Sequence, residues 1–172
     1  EEVLWAVEAA QKQKLDLFVL GAGTNVLVSD EGFNGLVLRP KIDFIKVKGN
    51  SIHAGAGALM ADVLKAAAKA GLSGLEWAGG LPGTLGGAVR GNAGAFKGEI
   101  KDIVHEVESL DTKALTFLTR TNEESKFSYR SSIFKELGGE EIILSATLSL
   151  IPGDAKMIRE EIDTLLAIAI LI

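Results

Sequence analysis

Ten of the chain's 20 glycines fall within residues 71–98. That concentration limits what the chain can build more than any other feature. Glycine surrenders side-chain burial and has the most backbone entropy to lose, so a run of it weakens any regular element. Yet the stretch also carries Leu72, Leu75, Trp77, Leu81, Leu85 and Val89, so it must pack and is not a flexible linker. The composition predicts irregular backbone held against a core, with glycine recurring from Gly79 to Gly94. A large flat ligand lying on exposed main-chain amides would offset the lost burial. A glycine-rich packing loop is the plainer alternative.

A second, shorter glycine motif lies earlier, Gly21-Ala22-Gly23-Thr24-Asn25-Val26. It follows an apolar run, but it is not a dinucleotide fingerprint. Its sixth position is Val26, and Leu27-Val28 are strand formers where a helix should open. No Gly-Lys-Ser/Thr follows, which excludes a P-loop. What remains is an expected strand–turn–strand. Its turn is either a plain tight turn or a nest of N–H groups for an anion, with Thr24 and Asn25 as added donors.

The rest of the chain reads as mixed helix and strand. Helical spacing covers Val3–Lys14, Leu59–Ala70 and Met157–Leu166, with Gly71 stopping the second helix. Strands are expected at Leu15–Leu20, Val26–Val28 and Leu36–Leu38, and a hairpin joins Phe44–Val47 to Ser51–Ala54 around Gly49-Asn50. Further strands are expected at Ile103–Leu110, Ala114–Thr119 and Glu141–Leu150, with a short helix or turn at Thr121–Lys126. Without regular βαβ alternation the class is α+β. The apolar end Leu165–Ile172 is too short to span a bilayer and reads as an interrupted core element.

Composition narrows the chemistry. With 18 Lys and Arg against 23 acids, a net charge of -5 lacks the basic footprint of a nucleic-acid binder. The absence of cysteine excludes disulfides and thiolate metal sites and fits a cytoplasmic setting. His53 and His105 show no ligand spacing, so no metal site is expected. The start, Glu1-Glu2 followed by a helical pattern, is not a secretory leader.

Three stretches, in order, resemble one known family. Leu20 to Phe33 is similar to its LGxGSNLLVSDxGF stretch, and Gly80 to Ala95 to its GIPGTVGGAVRxNAGA signature. Phe127-Ser128-Tyr129-Arg130-Ser131-Ser132-Ile133-Phe134 is similar to its FxYRxSxF stretch. The family is that of the UDP-N-acetylenolpyruvoylglucosamine reductases, of the FAD fold shared with p-cresol methylhydroxylase and vanillyl-alcohol oxidase. Ala22, Thr24 and Gly91 depart mildly from its motifs.

The resemblance implies two FAD-binding subdomains, expected at residues 1–50 and 51–154, and a closing helix at 155–172 that starts a truncated substrate domain. It implies FAD as cofactor and NADPH as hydride donor, and reduction of an enolpyruvyl sugar nucleotide in peptidoglycan synthesis. Gly21, Ala22, Gly23, Thr24, Asn25 and Val26 would hold the pyrophosphate. Gly80, Pro82, Gly83, Thr84, Gly86, Gly87, Asn92, Ala93, Gly94 and Ala95 would line the flavin. Arg130 would grip the substrate carboxylate and stabilise charge as hydride arrives, with Tyr129 beside it. Arg90 reads as structural. The family's serine proton donor and glutamate have no counterpart motif before Ile172, so the piece is expected to be inactive alone. Another flavin-dependent oxidase of the same fold, or a non-catalytic FAD-binding module, are the competing readings.

Overall fold

A computed structural model describes residues 1–170. Helix α1 (Glu2–Gln13) buries Val7 and Ala10 and ends at Lys14 in the left-handed region. Strand β1 (Asp16–Val19) pairs in parallel with β2 (Gly35–Leu38). Strands β3 (Ile45–Lys48) and β4 (Ser51–Gly55) form the expected hairpin around Gly49-Asn50. Helix α2 (Met60–Lys69) follows, its inner face made of Met60, Val63, Leu64, Ala67 and Ala68. The apolar period of 3.6 residues dictates that face.

The glycine-rich stretch contains more regular structure than its composition predicts. It holds β5 (Leu72–Ser73), a 3₁₀ turn at Glu76–Ala78, α3 (Leu85–Arg90), β6 (Gly94–Ala95) and β7 (Gly98–Glu99). At Gly86 helix α3 lies tight against Ala56, just past the end of β4. A Cβ on Gly86 would come within 2.8 Å of the Ala56 Cβ. Close packing there offsets the roughly 1 kcal/mol that a glycine costs a helix relative to alanine.

Next come β8 (Val104–Asp111), β9 (Thr116–Thr121), α4 (Ile133–Glu136), β10 (Glu141–Ser149), β11 (Ile151–Pro152) and α5 (Ala155–Ile170). Of the segment Thr121–Lys126, Thr121 ends β9 and residues 122–126 are a run of turns. The main sheet is antiparallel in the order β3-β4-β10-β8-β9. Its inner face, with Ile52, Ala54, Val107, Ala146 and Leu148, meets α2 and α3 in the larger core. A smaller core joins Val7 of α1 to Leu110 and Ile142 of the sheet, with Leu17 and Leu38 alongside. Because β3 belongs to the main sheet, the hairpin straddles the boundary expected at residue 50.

Two expectations need correction. Val26–Val28 form no strand, and Leu27 is 99% exposed. Among the described residues no strand pairs with this run, and its three exposed residues leave their amides to water. Helix α5 is longer than Met157–Leu166, since apolar residues continue its turns through Ile170. The end of the expected apolar element, Leu171 and Ile172, lies outside the described residues.

Candidate functional site

The loop after β1 and the loop before α3 face each other across a cleft of about 580 Å³. Gly21, Ala22, Gly23, Thr24, Asn25 and Val26 form one wall, and Pro82, Gly83, Thr84 and Gly87 form much of the other. The loops interlock. A Cβ on Gly21 would lie 2.9 Å from Thr84 Oγ1, and one on Gly83 would lie 3.0 Å from Thr24 Oγ1. Each loop offers a bare α-carbon where the other offers a threonine hydroxyl. Gly83 also has φ +109°, which side chains rarely adopt. Thr84 caps α3 by accepting a long hydrogen bond from Gly87 N, 3.4 Å.

Among the described residues, the backbone N–H groups of Gly21 to Val26 donate to no protein acceptor. Six successive free donors beside a cleft are a ready anion cradle. Three cationic side chains also line it, Arg90, Arg130 and Lys135. Two of these were not legible as site residues. Arg90, expected to be structural, lines both this cleft and a neighbouring cavity of about 150 Å³ that shares Gly21, Thr84 and Gly87. Lys135 lies on α4, five residues past Arg130, and donates to the Arg130 carbonyl at 2.8 Å. No motif spacing marked it.

Arg130 and Tyr129 occupy the tip of a four-residue turn closed by Ser128 N to Ser131 O, 3.0 Å, and Ser131 N to Ser128 O, 3.1 Å. Arg130 has φ +53°, a strained setting for a side-chain-bearing residue. Its guanidinium stands 6.0 Å from the Tyr129 ring centroid. Among the described residues Arg130 has no ion-pair partner.

Several expected residues lie elsewhere. Gly80 turns its bare face to α5, where an added Cβ would lie 3.0 Å from the Ala169 Cβ. Gly86 packs on Ala56 and borders the smaller cavity. Gly94, Ala95 and Tyr129 line a third cavity of about 240 Å³, which shares Arg130 with the cleft, while Ala93 reaches the cleft itself.

Asn92 is 1% exposed, and its polar atoms are used within the protein. Its Nδ2 donates to Glu99 Oε2 at 2.6 Å and to the Ser128 carbonyl at 2.9 Å, and its Oδ1 accepts from Lys101 N at 3.0 Å. Lys101, through its hydrogen bond, holds the Glu99 carboxyl below its ordinary range, with help from Asn92 and the charge of Arg130.

The geometry fits FAD. A bare, donor-rich loop suits a diphosphate, and beside it lie two cavities that share Gly21, Thr84, Gly87 and Arg90 as lining. The family profile described as FAD binding domain matches residues 1–116. The chain belongs to this FAD-binding domain family. UDP-N-acetylenolpyruvoylglucosamine reductase of Lactobacillus acidophilus is 42% identical over 98% of this chain and 56% of its own length. The protein of the same name from Caldanaerobacter subterraneus is 40% identical over 96% of the chain and 54% of its length. The crystal structure of UDP-N-acetylenolpyruvylglucosamine reductase from Thermus caldophilus superposes with a TM-score of 0.78 at 32% identity. That match covers 92% of this chain and 57% of that one. The chain thus spans about half the length of the curated relatives it matches. The expected α+β FAD-binding fold is the fold of this solved relative. Among the described residues no helix is long and apolar enough to cross a membrane.

Proposed function

We propose that the chain is the FAD-binding part of a reductase that converts UDP-N-acetylglucosamine enolpyruvate to UDP-N-acetylmuramate in cytoplasmic peptidoglycan synthesis. The observation that carries this reading is Arg130, a guanidinium without an ion-pair partner among the described residues, on the wall of the cleft that both glycine loops line. Residues 1–50 and 51–154 act as the two cofactor-binding units, with β3 of the first completing the sheet of the second, and residues 155–172 lead into the substrate-binding part.

Amides of Gly21 to Val26 hold the diphosphate, and the short side chains of Gly83, Thr84 and Gly87 leave room for the cofactor to lie close to the backbone. Arg90 adds charge where the two cavities meet. When bound, FAD supplies the redox chemistry, accepting hydride from NADPH and passing it to the vinyl carbon of the substrate. Arg130 binds the substrate carboxylate through two hydrogen bonds and stabilises the enolate-like charge that builds there. Tyr129 borders the carboxylate end. The proton that completes the reduction comes from a group outside these residues.

The test is a chimera in which this chain replaces the corresponding half of the Lactobacillus acidophilus relative. The expected result is FAD-dependent NADPH oxidation that requires the enolpyruvyl nucleotide, with the 172-residue chain alone showing no sustained turnover. A chimera that holds FAD yet reduces no enolpyruvyl substrate would overturn the proposal.

A further inference from the structure

We propose that Asn92 and Ser132 are positioning residues that fix Arg130 to the second glycine motif. This deepens the reading of Arg130 given above and rests on it. Arg130 adopts φ +53°, a backbone state that persists only where the surroundings over-determine it. The surroundings here are three ties. At the near side, the Ser128 carbonyl accepts from buried Asn92 Nδ2 at 2.9 Å. At the far side, Ser132 Oγ donates to the Arg90 carbonyl at 2.7 Å. At the tip, Lys135 Nζ donates to the Arg130 carbonyl at 2.8 Å.

Two of these ties end on the segment Arg90 to Asn92 at the C-terminal end of α3, of which Arg90 and Gly91 line the cleft. The turn is therefore referenced to the cofactor wall and not only to its own strand neighbours. Ser132 is 0% exposed and Asn92 is 1% exposed, so both donor side chains are held inside the protein. Asn92 is held in turn by Glu99 and Lys101 N. A side chain meant to meet a carboxylate must hold its angle as well as its distance. A tip tied at a single end could swing, whereas this one is tied on both sides.

The chain contains a single tyrosine, Tyr129, and it sits in this turn. Ring-labelled tyrosine therefore reports on the turn alone. The ring is 89% exposed, so the informative tyrosine signal is its through-space contact with the Arg130 side chain, whose guanidinium stands 6.0 Å from the ring centroid. Ser132→Ala and Asn92→Ala should each weaken that contact signal. Each should also speed exchange of the Ser128 and Ser131 amide protons at least about tenfold, while amide signals of the main sheet stay in place. Should Asn92→Ala fail to fold, Ser132→Ala decides the matter. An unchanged tyrosine signal and unchanged Ser131 protection in folded Ser132→Ala would overturn the proposal. No flavin or substrate enters the measurement, so that result leaves the proposed reaction standing. Conversely, an Arg130→Ala chimera with full turnover would sink the reaction role without touching the ties.

Discussion

Gly21 and Thr84 meet so closely that a single added carbon on the glycine would fall 2.9 Å from the threonine hydroxyl oxygen. The contact joins two loops separated by more than sixty residues of sequence and sets the width of the cleft between them. Gly21→Ala should push Thr84 aside, disturb the cap it provides to α3, and weaken FAD binding at least about tenfold, roughly 1.4 kcal/mol. A titration followed by flavin fluorescence checks this. Gly49→Ala, in an open hairpin with nothing within 4 Å, is the control and should leave FAD affinity unchanged.

Gly80 separates packing from cofactor binding. Its bare face is turned to Ala169 and Leu166 of α5, not to the cleft. Gly80→Ala should lower stability by about 1–2 kcal/mol through backbone strain and crowding. Its FAD affinity should stay within about twofold of the parent, by 0.4 kcal/mol or so. Urea unfolding and FAD titration on the same variant separate the two effects. A large affinity loss at unchanged stability would return Gly80 to the cofactor site.

The Arg130 guanidinium is expected to contribute where charge develops. In the chimera, Arg130→Ala should lower kcat/KM by about 100-fold or more. Arg130→Lys should recover only part of it, since an ammonium cannot form the two parallel bonds. Initial rates at varied enolpyruvyl nucleotide measure both. Equal rates for parent and Arg130→Ala would contradict the role.

Glu141 makes the fold sensitive to acid. Arg120, paired with it by a hydrogen bond of 2.9 Å from Nε, is the main cause holding its carboxyl below the ordinary value, and Ser109 Oγ adds a second bond at 3.0 Å. A lowered carboxylate pKa gives stability that is present above the unfolded-state value and lost as pH falls through the folded one. The urea midpoint should hold from pH 7 to about 5 and fall below that. Glu141→Gln should cost about 2 kcal/mol at pH 7, less than a fully buried pair because Arg120 still reaches water, and should flatten the acid slope. Glu99, Asp111 and Glu124, also lowered by their own hydrogen bonds, account for what slope remains. An unaltered slope in Glu141→Gln would count against this pair.

Much of the framework was legible because periodicity reports burial directly. The stripe Val63, Ala67 and its neighbours gave α2, and Gly49-Asn50 between alternating runs gave the first hairpin. That both glycine motifs serve one ligand was implied by the family resemblance, and the fold brings both to one cleft. What escaped was decided by distant partners. Val26–Val28 look like a strand by propensity, but among the described residues no strand lies in register to pair with them. Helix α3 looks too rich in glycine until Ala56 is seen pressed against Gly86. Asn92 looked like a cofactor ligand because it follows the glycine loop. Only the fold brings Ser128, 36 residues on, within reach of its amide. Lys135 gained its place at the cleft from the turn between Ser128 and α4, which no short motif encodes.

The most direct measurement is FAD uptake by the 172-residue chain itself. Saturable quenching of flavin fluorescence with a matching rise in Tm, both diminished in Gly21→Ala, is the predicted result. A chain that stays colourless through dialysis, shows no rise in Tm with excess FAD and leaves flavin emission at its free value would contradict the cradle formed by Gly21 to Val26.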